Sequence, residues 1–432
     1  MLKGTVLLPG DKSITHRAII FASLAAKTSR IEGALLGEDC CATIQCFQQL
    51  GVEIERVNTT TLVITSPGVE QFQQPEQAID CQNSGTTARL MMGILAALPF
   101  QTTLIGDESL QRRPMQRVAQ PLRQMGAQIQ LSQTGTLPAV ITGQRLQGIT
   151  YHSPVASAQV KSAILLAGLF ADGETIVYEP EQSRDHTERF FAELGFEWQQ
   201  INQLTVRVTK HQRKWNFPDC YHVPGDISSA AFWLVGASLI PESIIEISHV
   251  GLNPTRTGIL EVLDQMGANI ERQEIDFSGE PVGKLIVKSA TLQAINIGGA
   301  MIPRVIDEIP IIALAATQAH GQTCVSQAEE LRVKESDRIT QTVQLLKQLG
   351  AEIMETADGF IIDGPTPLQN QGVYDSFGDH RLAMVLAIAE AYLAVPMHIK
   401  RRKAYCVSYP DFETTLTMLQ QEARISGINL KK

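Results

Sequence analysis

The sequence lacks the motifs that mark several large protein classes. Its seven cysteines (Cys40, Cys41, Cys46, Cys81, Cys220, Cys324 and Cys406) form no C-x-x-C pair, so spacing suggests neither a zinc site nor a dithiol redox motif. An odd, scattered set reads as reduced thiols, mostly buried as small apolar residues. There is no G-x-G and no G-x-x-x-x-G-K-[ST], so neither a dinucleotide fold nor a phosphate loop of that type is supported. The longest apolar run, Ala230 to Ile240, is far short of the ~20 residues a membrane helix needs. The basic start, apolar core and small-residue cleavage site of a signal peptide are missing, and a cytoplasmic location is expected. Positive charge is also scarce: 36 Lys and Arg against 45 Asp and Glu leave a net charge of −9. Such a chain is a poor general binder of nucleic acid or anionic membrane. Any binding of anions must come from basic residues gathered locally.

What is present is ordinary in bulk and repetitive in detail. Of 432 residues, 44% are hydrophobic and 19% charged, enough for a buried core and, at roughly 150 residues per domain, two or three domains. A signature of apolar positions, Gly and a short alternating strand recurs at Gly51, Gly126, Gly195, Gly267 and Gly350, with a weaker copy at Gly427. The intervals are 75, 69, 72, 83 and 77 residues. Each Gly suits the left-handed residue that ends a helix, and the alternation predicts a strand with one covered face. A second symmetry lies over the first: Pro9-Gly10-Asp11-Lys12-Ser13 returns 215 residues later as Pro224-Gly225-Asp226-Ile227-Ser228. The chain reads as α/β, in two halves of three units each, with a cleft between them as the expected ligand site.

Several predicted helices open on small polar and basic residues: Asp11-Lys12-Ser13 to Arg17, Asn83-Ser84-Gly85 to Arg89, Ser157-Ala158-Gln159 to Lys161, Lys334-Glu335-Ser336-Asp337-Arg338, and Asp379-His380-Arg381. Caps account for most of the Ser, Thr, Asn and Asp. They do not account for Lys12, Arg17, Arg89, Lys334, Arg338 and Arg381, because a helix N-terminus carries about +0.5 of charge and disfavours cations. Cations there, beside free N–H groups and small residues, make sites for a ligand with several negative charges. Asp307 and Glu335 stand among these cations as candidates for proton transfer. The alternatives are an N-cap for Asp307 and an i,i+3 surface ion pair with Arg338 for Glu335. His16, His186 and His380 read as structural hydrogen-bond partners, and Arg401-Arg402-Lys403 as a solvated patch.

Taken in order, Gly10-Asp11-Lys12-Ser13 with Arg17-Ala18, Asn83-Ser84-Gly85-Thr86, Arg113-Pro114, Arg332 to Arg338, and Asp379-His380-Arg381 resemble the enolpyruvyl transferases over nearly the whole chain. Within that family they look like the members whose acceptor is shikimate 3-phosphate. The resemblance implies an inside-out α/β barrel, the enolpyruvyl transferase fold: two lobes of three βαβαββ repeats each. Residues 1–12 with 225–432 would make one lobe and 13–224 the other. It also implies roles. Ser13 and Arg17 would hold the acceptor's carboxylate, and Ser157, Ala158, Gln159, Ser183 and Arg184 would lie around it, with Ser157 and Arg184 near its phosphate. Lys12, Gly85 and Arg113 would hold the phosphate of phosphoenolpyruvate, Arg338 and Arg381 would clamp its carboxylate, and Asn83 would also bind substrate. Asp307, with Lys334, would take the proton of the 5-hydroxyl, and Glu335 would move protons at the methylene carbon. No metal or organic cofactor is implied, the partners are the two small substrates, and a monomer is expected.

Three positions depart from the better-known pattern of the family: Ala158 replaces a second Ser, Val407 a Lys, and Leu90 a Pro. All three resemble the family's second, diverged class. Gly85 implies sensitivity to glyphosate, since members with Ala there are tolerant. A sister enzyme acting on UDP-N-acetylglucosamine usually carries a reactive Cys, sometimes Asp, on a mobile loop. The comparable stretch here, Gly106 to Arg117, has no Cys and only Asp107. A non-catalytic anion binder is the remaining alternative, and it has no need of Asp307 and Glu335 beside its cations.

Overall fold

The repeated glycines do in the fold what their sequence context suggests. Gly51, Gly126, Gly195, Gly267 and Gly350 all have positive φ, between 74° and 103°. Each follows a helix, and in every copy the next residue's N–H reaches back to the carbonyl five residues earlier: Val52 to Phe47, Ala127 to Leu122, Phe196 to Phe191, Ala268 to Leu263 and Ala351 to Leu346. This is the Schellman closure of a helix, used five times to turn the chain directly into a strand. Those strands are Glu53–Arg56, Gln128–Gln130, Trp198–Asn202, Asn269–Asp276 and Glu352–Glu355. The sixth signature behaves differently. Gly427 lies inside the helix Phe412–Asn429, whose buried Phe412, Leu416, Leu419 and Ala423 recur at helical spacing and favour continuing the helix over a turn.

The computed structural model describes residues 1–276 and 279–429. Its contacts divide the chain into Gly10–Val223 and a unit of Met1–Pro9 with Pro224 onward. The junctions fall at Pro9/Gly10 and Val223/Pro224 rather than after residues 12 and 224. Local bonding sets them there. The Pro9 carbonyl accepts from Asp226 N and the Gly225 N–H bonds His249, whereas the Val223 N–H bonds Glu32. Gly10 backs onto Gly33 so tightly that a Cβ would meet its carbonyl oxygen at 1.9 Å.

The Gly10–Val223 unit has three four-stranded sheets, each with one parallel edge pair and two antiparallel pairs, the pattern of a βαβαββ repeat. The first sheet takes its parallel edge strand, Cys220–His222, from the end of the unit. The other unit takes Lys3–Leu7 from the start of the chain in the same way, against Ile244–Gly251. Among the described residues it holds two four-stranded sheets and a two-stranded one, Val373–Asp375 with His398–Lys400.

In each unit one helix of every repeat is buried on nearly all sides: Lys12–Leu24, Gly85–Leu95 and Ala158–Gly168 in one; Ile227–Leu239, Ile309–Ala316 and His380–Leu393 in the other. Around-the-helix apolarity is the mark of an interior helix. Close packing needs small residues at the crossings. At Gly93 a Cβ would lie 2.3 Å from the Ala163 carbonyl oxygen, so only glycine lets the second and third of these helices approach that closely. Their polar starts are thereby brought side by side.

Candidate active site

In the Gly10–Val223 unit the polar helix starts are tied together by side chains. Asp11 caps the first helix, accepting from Ile14 N. One turn on, the Arg17 guanidinium is buried and donates to Thr187 Oγ1 at 2.8 Å, the Ser13 carbonyl at 2.9 Å and Ser162 Oγ at 2.7 Å. Ser84 caps the second helix. Arg89 in it donates to Gln159 Oε1 at 2.5 Å, and Gln159 Nε2 donates to Thr86 Oγ1 at 2.9 Å. Arg113 donates to the carbonyl and amide oxygens of Asn83 and to Ser109 Oγ. These Arg113 partners are neutral, so its charge is left to attract an anion. Gly85 sits between two guanidinium groups: a Cβ there would be 2.9 Å from Arg89 Nη1 and 3.3 Å from Arg113 Nη1. Lys12 is paired with Asp39 at 2.8 Å, and an anion at Lys12 has to compete with that carboxylate.

Beneath these groups lie two buried networks. His16 Nδ1 bonds Thr43 Oγ1, which bonds Thr87 Oγ1, which donates to Ser84 Oγ, each at 2.7 Å. Burial lowers the His16 pKa to about 3, the neighbouring Lys12 and Arg17 adding to the effect against Asp39 and Asp11, so the ring is neutral. Lys161 lies 2.8 Å from Glu179 and 2.7 Å from Glu188, all three buried, and donates to the Ser183 carbonyl at 3.4 Å. It stands one turn after Ser157, the cap of its helix.

The other unit gathers carboxylates with its cations. Arg338 is 1% exposed. It donates to Asp379 at 2.8 Å and to Asp307 at 3.2 Å, and pairs with Glu335 at 2.7 Å. Burial works against its charge, but Asp379, Glu335 and Asp307 together hold its pKa above the ordinary value. Asp379 caps the helix His380–Leu393 through Arg381 N. Burial disfavours its ionisation, yet Arg338 outweighs burial and lowers its pKa. Arg381 lies 3.8 Å from Asp307 and 3.9 Å from the buried Glu308. Glu308 accepts from Ser228 Oγ, and Arg256 donates to Ser228 Oγ at 2.7 Å and to Asp226 at 3.0 Å. Desolvation lowers the pKa of Lys334, opposed by Asp307, Glu330 and Glu335.

The structure therefore places Lys12, Ser13, Arg17, Asn83, Gly85, Arg113, Ser157, Ala158, Gln159 and Arg184 in the Gly10–Val223 unit. It places Asp307, Lys334, Glu335, Arg338 and Arg381 in the other. Side-chain bonds link Arg17 to the first helix start, Gln159 to the second, and Asp307 and Glu335 to Arg338. Arg184 lies in the loop before the helix His186–Leu194. The local alternatives for the two acids resolve in different ways. The position before the helix Ile309–Ala316 is Glu308, without a side-chain cap bond, and Asp307 turns to the arginines. The Glu335–Arg338 pair does form, but around a buried guanidinium and not on the surface.

Some readings need correction. Only Cys40, Cys46 and Cys81 are buried, while Cys220 and Cys406 are exposed. Arg402 is clamped between Glu390 and Glu413 and belongs to no loose basic patch. Asp39, Arg256, Glu179 and Glu188 went unmarked in the sequence, and Lys161 was marked only as part of a polar helix start. Ser228 had a signal as the counterpart of Ser13 in the repeated Pro-Gly-Asp motif.

This arrangement fits chemistry on anionic substrates that also needs proton transfer, and known proteins agree. The family model for EPSP synthase (3-phosphoshikimate 1-carboxyvinyltransferase) matches residues 1–416. A 3-phosphoshikimate 1-carboxyvinyltransferase of Geobacillus kaustophilus is 51% identical over 421 residues, 97% of this chain and 98% of its own. The solved EPSP synthase of Acinetobacter baumannii superposes with a TM-score of 0.85 at 41% identity, over 97% of this chain and 96% of its own. The enolpyruvyl transferase NikO of Streptomyces tendae gives a TM-score of 0.79 at 18% identity, over 97% and 95% of the two chains, a likeness of fold alone.

Proposed function

The chain belongs to the EPSP synthase family, and we propose that the residues described above carry the family's reaction in it. The fold is the enolpyruvyl transferase fold. The enzyme moves the enolpyruvyl group of phosphoenolpyruvate onto the 5-hydroxyl of shikimate 3-phosphate and releases phosphate.

In this reading Ser13 and Arg17 hold the acceptor's carboxylate, while Ser157, Gln159 and Arg184 lie around the acceptor, with Ser157 and Arg184 at its phosphate. Ala158 contributes only backbone, and Arg184 replaces the hydroxyl it lacks. Lys12, Asn83, Gly85 and Arg113 form the seat of the phosphoenolpyruvate phosphate, and Arg338 and Arg381 that of its carboxylate. Asp307, assisted by Lys334, takes the 5-hydroxyl proton as the oxygen attacks C2 of phosphoenolpyruvate. Glu335 gives a proton to C3, which becomes a methyl group, and a tetrahedral ketal phosphate forms. Glu335 then removes a methyl proton, the C–O bond to phosphate breaks, and the C=C bond returns. Positioning and cationic stabilisation of the departing phosphate supply the rest.

The observation that supports this most is the placing of Asp307 and Glu335 against one buried arginine, Arg338. A carboxylate and its proton-transfer partner are held there beside the cation that would grip the substrate. We also infer a monomer that works in the cytoplasm. Among the described residues no helix is long and apolar enough to cross a membrane.

The test is phosphate release from phosphoenolpyruvate by the purified chain. Release that requires shikimate 3-phosphate, and falls by about 10² to 10⁴ in Glu335→Gln, is the expected outcome. Release that instead requires UDP-N-acetylglucosamine would assign the sister reaction. Binding of both substrates without release would leave an anion binder.

A further inference from the structure

The first sheet of the Gly10–Val223 unit ends in an edge strand, Cys220–His222, paired in parallel with Thr28–Glu32. The register sets Cys220 beside Arg30 and His222 beside Glu32. Alternate residues of a strand share a face. Tyr221 and Ile31 accordingly turn into the core, and Arg30, Glu32, Cys220 and His222 form a square on the outer face. Cys220 Sγ lies 3.7 Å from His222 Nε2, and His222 Nδ1 lies 3.3 Å from Glu32 Oε2. One donor atom from each of Glu32, Cys220 and His222 can be chosen so that all three lie within 4.8 Å of one another.

We propose that Glu32, Cys220 and His222 form a surface site for a divalent transition metal of the zinc class, with solvent completing the coordination. The donor set decides the class. One thiolate, one imidazole and one carboxylate suit zinc or cobalt, whereas magnesium and calcium prefer oxygen ligands throughout. The spacing decides the geometry. Zinc bonds of about 2.0–2.3 Å in a tetrahedron put donor atoms roughly 3.3–3.7 Å apart; one His222 ring nitrogen faces the metal, and donor atoms within 4.8 Å of one another need close by no more than about 1.5 Å. The carboxylate is already oriented: Arg30 Nε donates to Glu32 Oε1 at 2.6 Å and leaves Oε2 for the metal. Such outer hydrogen bonds commonly aim metal ligands. The two strands are tied by backbone bonds, so the ligands come from one rigid surface and not from loops.

The site is separate from the residues assigned to catalysis, and its test does not depend on turnover. The reduced, metal-free full chain is titrated with cobalt(II), and the thiolate-to-cobalt charge-transfer absorption is followed. The expected result is one equivalent bound, displaced by zinc. The band disappears in Cys220→Ser, weakens at least about tenfold in affinity in His222→Ala, and is unchanged in Cys406→Ser, which removes the other exposed thiol. Zinc would also slow alkylation of Cys220 and raise the melting temperature of the parent chain but not of Cys220→Ser. All four side chains face outward, so the variants are expected to fold, which circular dichroism verifies. A chain without the band, or one that keeps it in Cys220→Ser, overturns the proposal.

Discussion

Adding a methyl group at Gly85 would be a small change with a large local effect. The new Cβ would press on Arg89 at 2.9 Å and stand 3.3 Å from Arg113, the guanidinium at the proposed phosphate seat. Gly85→Ala is therefore expected to lower kcat/KM for phosphoenolpyruvate roughly tenfold, about 1.4 kcal/mol. It should weaken glyphosate inhibition by more. Steady-state kinetics with varied phosphoenolpyruvate and inhibitor measure both, and unchanged inhibition would place the inhibitor elsewhere. His16 makes a second prediction at this scale. Its pKa is about 3 in the fold, against about 6.5 unfolded. Between those values the unfolded chain binds the extra proton, so stability falls as pH drops from 6.5 toward 3, by up to roughly 1.4 kcal/mol per unit from this group. Urea midpoints of the parent chain and of His16→Asn across that window should differ in slope, with the variant flatter. Much of this scale was legible in sequence, because Lys12, Arg17, Arg338 and Arg381 break the helix-dipole rule in plain view. The partner Asp39 was not, since it lies 27 residues from Lys12 and its own local context is an ordinary helix start.

Among the elements, the helix Ala158–Gly168 shows how interior polarity serves the site above it. Its Lys161 is buried against Glu179 and Glu188. Burial opposes the ammonium's charge, but the two carboxylates raise its pKa overall, while burial raises that of Glu188. The ammonium also reaches the Ser183 carbonyl, tying the helix that starts at Ser157 to the loop that carries Arg184. Lys161→Met would leave buried carboxylates without their cation, a loss of about 3–5 kcal/mol, read as a fall in denaturation midpoint. In the chain that remains folded, KM for shikimate 3-phosphate should rise while KM for phosphoenolpyruvate holds. Adding Glu179→Gln and Glu188→Gln should restore much of the stability without the acceptor affinity, and a purely structural role would restore both. The helices themselves were legible through their apolar periodicity and the glycines that end them. The triad was not, because a Lys on an apolar helix and two distant Glu residues carry no joint pattern until the strand Glu174–Tyr178 and the helix His186–Leu194 are packed together. Gly427 is the converse case: a weaker copy of the local signature was overridden by the buried stripe of the helix Phe412–Asn429.

At the scale of the whole molecule, each unit completes its first sheet with a strand from the far end of its own sequence segment or of the chain. The repeated Pro-Gly-Asp motif marked the two crossings within a few residues, but strand exchange has no local signal, and the junctions had to be read from backbone bonds. The consequence is a stability link between chain positions more than 200 residues apart. Lys3–Leu7 pairs with Ile244–Ser248. The Leu2 N–H donates to Ser243 Oγ and the Ile244 N–H to the Leu2 carbonyl, with Leu2 and Val6 fully buried. Deleting residues 1–9 removes two core side chains, about 1.5–3 kcal/mol each, and bares the backbone edge of Ile244–Gly251. The three sheets of Gly10–Val223 keep all their strands. Hydrogen exchange of the truncated chain should show protection lost in Ile244–Gly251 and Val282–Lys288 and kept in Thr28–Glu32 and Gln101–Ile105. Phosphate release should fall with it, because Asp307, Lys334 and Glu335 lie in the weakened unit. Equal loss of protection in both units would mean that their stabilities are not separable, and the first strand would then act on the whole chain and not on the sheet it completes.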